Sequence, residues 1–241
     1  MKTRFKKPLP GMLIGAVAGL AASAAMATGM LPETSIVLLY DADGETSINV
    51  KNTDDTPALL YTAIENVPED TEPLVLVTLP VARVEAGETQ LVRFLRRGGE
   101  PLKTQRLKRV IFEGIPQRLN AEGTATVGVT VRQNLPMILH PKGLERNREP
   151  WKLLKWRLED GKLTVINDSP YVVRLSQQVE LKPTVETAML PRSYVLPGET
   201  LSTQVPLKAN GATTVTISPA TIYGYSVDSY DAPVDNAAPR N

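Results

Sequence analysis

The chain has 241 residues, with 27 Lys and Arg against 26 Asp and Glu, one His and no Cys. That length suits one large domain or two of ordinary size, and near-balanced charge argues against a nucleic-acid partner held by phosphate neutralisation. Zero Cys excludes a disulfide framework, a Cys nucleophile, an iron–sulfur cluster and a thiolate zinc site, and one His excludes multi-His metal sites.

Residues 1–27 read as a secretory signal peptide. Lys2, Arg4, Lys6 and Lys7 form a basic start, an Ala- and Gly-rich apolar stretch follows from Leu13 to about Leu20, and Ala25-Met26-Ala27 supplies a small-x-small cleavage pattern. An uncleaved anchor needs about 20 strongly apolar residues, so the expectation is cleavage just before Thr28 and delivery to a bacterial periplasm. Losing those four cations leaves 23 basic against 26 acidic residues, a mature net charge of −3.

From Ser35 onward short apolar runs alternate with turn signals. Residues 36–40 end at Asp41-Ala42-Asp43-Gly44, and Ser47-Ile48-Asn49-Val50-Lys51-Asn52 alternates with period two. Residues 58–64, 74–78, 90–95 and 108–115 continue the series. The clearest strand covers residues 124–139, with Val127, Val129 and Val131 on one face. Residues 143–150 are nearly all polar and read as a linker, and residues 150–158 are the nearest approach to a helix. The second half has strands at 162–166, 171–181, 200–206 and 213–217. The expectation is an all-β chain of two immunoglobulin-like sandwiches, residues 28–142 and 151–231, with residues 232–241 as a frayed tail.

Catalytic motifs are missing: no G-x-S-x-G, H-E-x-x-H, P-loop or G-x-G-x-x-G occurs. His140, followed by Pro141 at a strand end, reads as a surface or domain-junction residue. Asp54-Asp55 and Glu69-Asp70 sit in turns and read as solvated loops. The dense basic run Arg93, Arg96, Arg97, Lys103, Arg106, Lys108 and Arg109 reads as two exposed strand faces and their loop, with a cationic ledge for a partner as the alternative. The Asn167-Asp168-Ser169 sequon is followed by Pro170 and is common by chance.

Several segments together resemble the PapD-like periplasmic chaperones of the chaperone–usher pilus pathway. They are residues 78–87, Leu91-Val92-Arg93-Phe94, Phe112-Glu113-Gly114-Ile115-Pro116, residues 124–141, and residues 163–171. The resemblance implies two immunoglobulin-like domains in an L or boomerang. It also implies donor-strand complementation, in which the chaperone lends an edge strand to a pilus subunit lacking its last strand. Val127, Val129 and Val131 then fall on the alternating donor positions, with burial in their own domain's core as the alternative. An exposed apolar edge is otherwise an aggregation liability. The family anchors the subunit's C-terminal carboxylate with two basic residues, but Ser35 and Pro136 occupy those places here. Arg132 is the favoured substitute, with Lys142 just beyond at the hinge. Gly114, His140 and Ile222 fall near the family's interdomain ionic cluster, which implies a more apolar junction. Pro57 matches a proline associated with usher contact.

The implied partners are pilus subunits and an outer-membrane usher, with no nucleic acid and no membrane insertion after signal cleavage; self-association through the edge strand stays open. No enzyme activity and no cofactor are implied, and no phosphate-binding loop points to ATP. The alternative function is a secreted two-domain binding module, an adhesin or minor pilus component.

Overall fold

A computed structural model describes residues 29–116, 130–221 and 227–236. The first domain runs through β1 (Met30–Pro32), β2 (Val37–Tyr40), β3 (Glu45–Asn52), β4 (Ala58–Asn66) and β5 (Val75–Thr78). It continues with β6 (Val81–Val84), β7 (Thr89–Arg96), β8 (Arg106–Pro116) and β9 (Arg132–His140). Two sheets form, ordered β1-β3-β7-β5 and β2-β9-β8-β4-β6. Their inner faces close on Val37, Leu39, Ile48, Val50, Leu60, Val92, Phe94, Val110, Phe112, Met137 and Leu139. Phe94 and Phe112 meet edge to face across the layers, with ring centroids 6.4 Å apart. Alternation drives this: in β3, Ile48, Val50 and Asn52 point inward between exposed Ser47, Asn49 and Lys51.

The second domain contains β10 (Lys155–Glu159), β11 (Lys162–Asn167), β12 (Val173–Leu175), β13 (Gln178–Lys182) and β14 (Glu186–Met189). After them come β15 (Tyr194–Val195), β16 (Glu199–Gln204), β17 (Thr214–Ile217), β18 (Pro219–Ala220) and β19 (Tyr230–Asn236). Its sheets are ordered β14-β13-β17-β19-β10-β11-β16 and β15-β12-β18, around a core that includes Trp156, Leu158, Leu163, Val165, Val179, Val215 and Ile217. Residues 150–158 resolve into a short 3-10 turn, Pro150–Leu153, that leads into β10.

Three expectations change. The run over residues 171–181 is two strands in different sheets, because Ser176 leaves the ladder: its N–H bonds the Ser218 carbonyl and its hydroxyl caps the Gln178 N–H. Residues 232–236 are not a frayed tail. They pair with β17 and β10 and bury Ala232 and Val234. Thirdly, the basic run is not uniformly exposed. Lys108 is 0% exposed, sharing the inward parity of Val110 and Phe112, and its ammonium donates to the Asp70 carboxylate at 2.9 Å and the Asp70 carbonyl at 2.7 Å.

A buried Asn ends a strand in each domain and ties down the following turn. Asn52 donates to the Thr56 and Val84 carbonyls and accepts from the Asp54 N–H. Asn167, 0% exposed, donates to the Tyr171, Val195 and Leu196 carbonyls and accepts from Ser169. The sequon's amide is therefore wholly engaged inside the fold. Asn167→Ala strands these buried backbone groups, and urea titration should show a loss of about 1–3 kcal/mol; an unchanged midpoint would refute the role given to this amide.

Candidate functional site

The site grows from β9, which has neighbours on both sides for only part of its length. Arg132 to Leu139 pair with β8 on one side. On the other side β2 pairs in parallel, and only with Met137 to His140. The chain before β2 has crossed to the other sheet, where β1 pairs with β3. Among the described residues, no strand therefore pairs with the outer edge of Arg132–Pro136. That edge is held near β1 by a side chain instead: Gln133 Nε2 donates to the Met30 carbonyl at 2.7 Å. Gly114 on β8 makes the approach feasible, since a Cβ there would lie 3.1 Å from Met30 Cγ. Gly114 thus sits beneath β1 rather than at the domain junction.

Side-chain parity along β9 is informative. Leu135, Met137 and Leu139 enter the domain core. Gln133 and Val131 continue that row toward the start of the strand, where Val131 is 39% exposed. Val129 and Val127 extend the same parity in the sequence but lie outside the described residues. The opposite row, Asn134, Pro136 and Ile138, faces the second domain's side, with Ile138 in an apolar cluster with Ile36, Val67, Leu107 and Val172.

The expected cations do not converge. Arg132 is exposed and forms an ion pair with Glu65. Lys142 is exposed in the turn after Pro141, without a partner among the described residues. Ser35 is exposed between β1 and β2, and Pro136 is buried. Two other arginines are half-buried, Arg109 on β8 and Arg174 on β12, each sharing strand parity with a residue of the apolar cluster that joins the domains. Arg109 donates to the side chain and carbonyl of Asn134. The expected exposure of the basic run does not hold at half-buried Arg109 either. Arg174 is a lone cation within the apolar run Tyr171 to Leu175, which is the one sequence signal that marks it.

The junction itself carries polar and ionic contacts beside the apolar cluster, so it is not simply apolar. Gln105 receives the Val172 N–H on its side-chain oxygen at 2.9 Å, and its own N–H bonds the Pro170 carbonyl at 2.8 Å. Its amide donates to His140 Nδ1, while His140 Nε2 donates to the Leu144 carbonyl, each at 2.9 Å. His140 is therefore a junction residue. Glu69 forms an ion pair with Arg192 and accepts from the Tyr194 hydroxyl at 2.7 Å. Burial and that bond to Glu69 push the Tyr194 phenol up to about 12, so it stays a donor at neutral pH. Ile222 lies outside the described residues.

On the far end of the same domain, Pro57 is half-buried and lines an open hollow with Ala58, Leu59, Arg83, Ile115 and Pro116. Leu59 and Ile115 are cross-strand partners, each 42% exposed.

Two family profiles cover the chain: residues 29–145 match the "Pili and flagellar-assembly chaperone, PapD N-terminal domain" and residues 149–230 match the "Pili assembly chaperone PapD, C-terminal domain". The chain belongs to the PapD family of pili assembly chaperones. The fimbrial chaperone YhcA of Escherichia coli K12 is 44% identical over 206 residues, 85% of this chain and 90% of YhcA. The Yersinia pestis chaperone caf1M is 27% identical, over 76% of each chain. A solved complex of the Salmonella enterica SafA pilin with the SafB chaperone matches in fold, with a TM-score of 0.71 at 18% identity. It covers 87% of this chain and 98% of that one.

In this pili assembly chaperone, a charge network supports the junction from within the first domain. Asp70, in the loop between β4 and β5, pairs with Arg106 and with buried Lys108, and Arg106 also reaches Glu72. Burial opposes ionisation of Asp70, but the hydrogen bonds from Arg106 and Lys108 outweigh it and hold the carboxyl below its ordinary range. A depressed folded-state value means the stabilisation is complete above the ordinary carboxylate pKa of about 4 and fades as pH falls through the folded value. Asp70→Asn also leaves Lys108 as a buried charge without its counter-ion, so calorimetry at neutral pH should show a loss of about 3–5 kcal/mol. The variant's acid limb should be flatter than the wild type's; two parallel limbs would contradict the assignment.

Proposed function

We propose that this protein is exported to the periplasm, cleaved before Thr28, and captures pilus subunits by donor-strand complementation. The observation that carries this reading is the half-paired β9, whose core-facing row continues to the exposed Val131 beside its open edge. An incomplete subunit sandwich supplies what that edge lacks: backbone donors and acceptors on one strand, and a groove for alternate side chains. Val131, with Val129 and Val127 before it, occupies the groove, each contributing roughly 1.5–3 kcal/mol on burial. The SafA–SafB complex, a chaperone holding a pilin, supports subunits as partners.

The subunit's terminal carboxylate enters the cleft beside β9. Arg132 and Lys142 stand at its rim, and Arg109 lies deeper. Arg132 shares its charge with Glu65, so it acts as a secondary contact. The protein works by binding: it makes and breaks no covalent bond and uses no cofactor or ATP. Delivery to an outer-membrane usher uses the exposed apolar patch of Pro57, Leu59 and Ile115, on β4 and β8.

Co-expression of tagged chaperone with its pilus operon tests the reading. Wild type should come down in a one-to-one complex with a smaller β-rich protein. Val129→Asp and Val131→Asp should each lower capture about 10- to 100-fold, the equivalent of about 1.4–2.8 kcal/mol, while both variants stay folded. Unimpaired capture by both would remove β9 from the interface. Leu59→Glu should leave capture intact and reduce surface pili; wild-type piliation would exclude the patch from delivery.

A further inference from the structure

At the end of β9 the two domains share one unbroken line of hydrogen bonds. His140 is buried and lies in the same row of β9 as Ile138, which packs in the apolar cluster of the junction. Gln105, buried just ahead of β8, brings its side-chain nitrogen to 2.9 Å from His140 Nδ1. The same side chain accepts the Val172 N–H of the second domain on its oxygen. The other ring nitrogen of His140, Nε2, meets the Leu144 carbonyl of the linker. First domain, linker and second domain are thereby tied through two side chains.

The polarity of this line is set from both ends. A backbone N–H only donates, so Val172 holds the Gln105 oxygen and turns the Gln105 NH2 toward His140. A carbonyl only accepts, so Leu144 requires a proton on Nε2. Nδ1 is then the bare acceptor, which is the neutral imidazole in its Nε2–H form. A second proton has no acceptor. On Nδ1 it would meet the Gln105 NH2, donor against donor. Rotating the Gln105 amide moves the same conflict to the Val172 N–H. Either way one buried donor loses its partner.

The surroundings give that proton no carboxylate. Among the described residues, the ring nitrogens bond only Gln105 and Leu144. From β2, the Tyr40 ring meets the imidazole edge to face with centroids 5.3 Å apart, and the adjoining Asp41 is taken by Arg96. From the linker, the Arg146 guanidinium lies 4.6 Å from the Tyr40 ring centroid, while Lys142 and Glu145 are exposed. Arg106, beside Gln105, is paired with Asp70 and Glu72. From the second domain, Tyr171 donates its hydroxyl to the Glu145 carbonyl.

We propose that Gln105 and His140 form a proton-sensitive latch between the domains, closed while the imidazole is neutral and weakened when it takes up a second proton. The protonated ring fits the open latch better than the closed one. Closure is therefore strongest above the pH range in which an imidazole ordinarily gains its charge, and weakens as pH falls through that range. His140 ends the strand that carries the open edge, so acid loosens the second domain beside that edge. The latch stands on these hydrogen bonds alone, whatever partner β9 takes.

Amide hydrogen exchange of the full chain at about pH 7.5 and about pH 5.5, on either side of the ordinary imidazole range, reads the latch at Val172. Rates are expressed as protection relative to the unstructured amide at the same pH. Val172 protection should fall roughly 5- to 10-fold at the lower pH, the loss of one hydrogen bond, while β17 amides keep theirs. His140→Gln can still accept from Gln105 and donate to Leu144 but cannot charge, so it should abolish the pH effect. Gln105→Glu should reverse it, because a carboxylate accepts from Val172 and from a charged imidazole together; Val172 protection should then rise toward the lower pH. A purely structural pair would show no change of sign. Wild-type Val172 protection that is independent of pH, an equal fall in His140→Gln, or an unreversed fall in Gln105→Glu would each overturn the latch. Either variant decides the matter if the other misfolds.

Discussion

A β-strand whose backbone is paired along one side only is the constraint on which the rest of this molecule depends. From Arg132 to Pro136, β9 has β8 as its neighbour and, among the described residues, no strand beyond it. Such an edge is costly to expose, since it recruits any passing strand. The fold produces it by splitting the first strand: β1 joins one sheet, β2 joins the other, and the gap between them falls opposite the first half of β9. Met30, Gly114 and Gln133 hold that gap in shape without filling it. A partner that brings a strand edge and an apolar groove completes both the backbone ladder and the row begun by Leu139, Met137 and Leu135.

The second domain gives that edge a fixed wall. The junction is built from a small apolar cluster, the Gln105 bonds to Pro170 and Val172, the His140 link to the linker carbonyl of Leu144, and the Glu69–Arg192–Tyr194 group. Asp70 and Lys108 brace the loop that carries Glu69. Arg109 and Arg174 are half-buried, one on each domain.

Much of the architecture was legible in the sequence, because period-two alternation and turn residues signal sandwich strands directly. Ile48, Val50, Leu163 and Val165 all face inward as alternation requires. The family was legible too, from the order and spacing of segments rather than from any single motif. What escaped has physical reasons. Period two gives a strand's faces but not its neighbours, so it could not show that β9 is half-paired. A continuous apolar run hides a change of sheet, as at Ser176, where a side-chain cap and one backbone bond end the strand. Lys108 looks like any surface cation until Asp70, 38 residues away in sequence, is folded against it.

The central claim is that the open edge of β9 is the surface that subunits occupy. Amide hydrogen exchange over residues 130–136, in the free protein and in its complex with a co-expressed subunit, tests it most directly. The account predicts that amides facing the open edge exchange rapidly in the free chain and become strongly protected in the complex, while β7 amides stay unchanged. Equal protection of residues 130–136 in both states would contradict it.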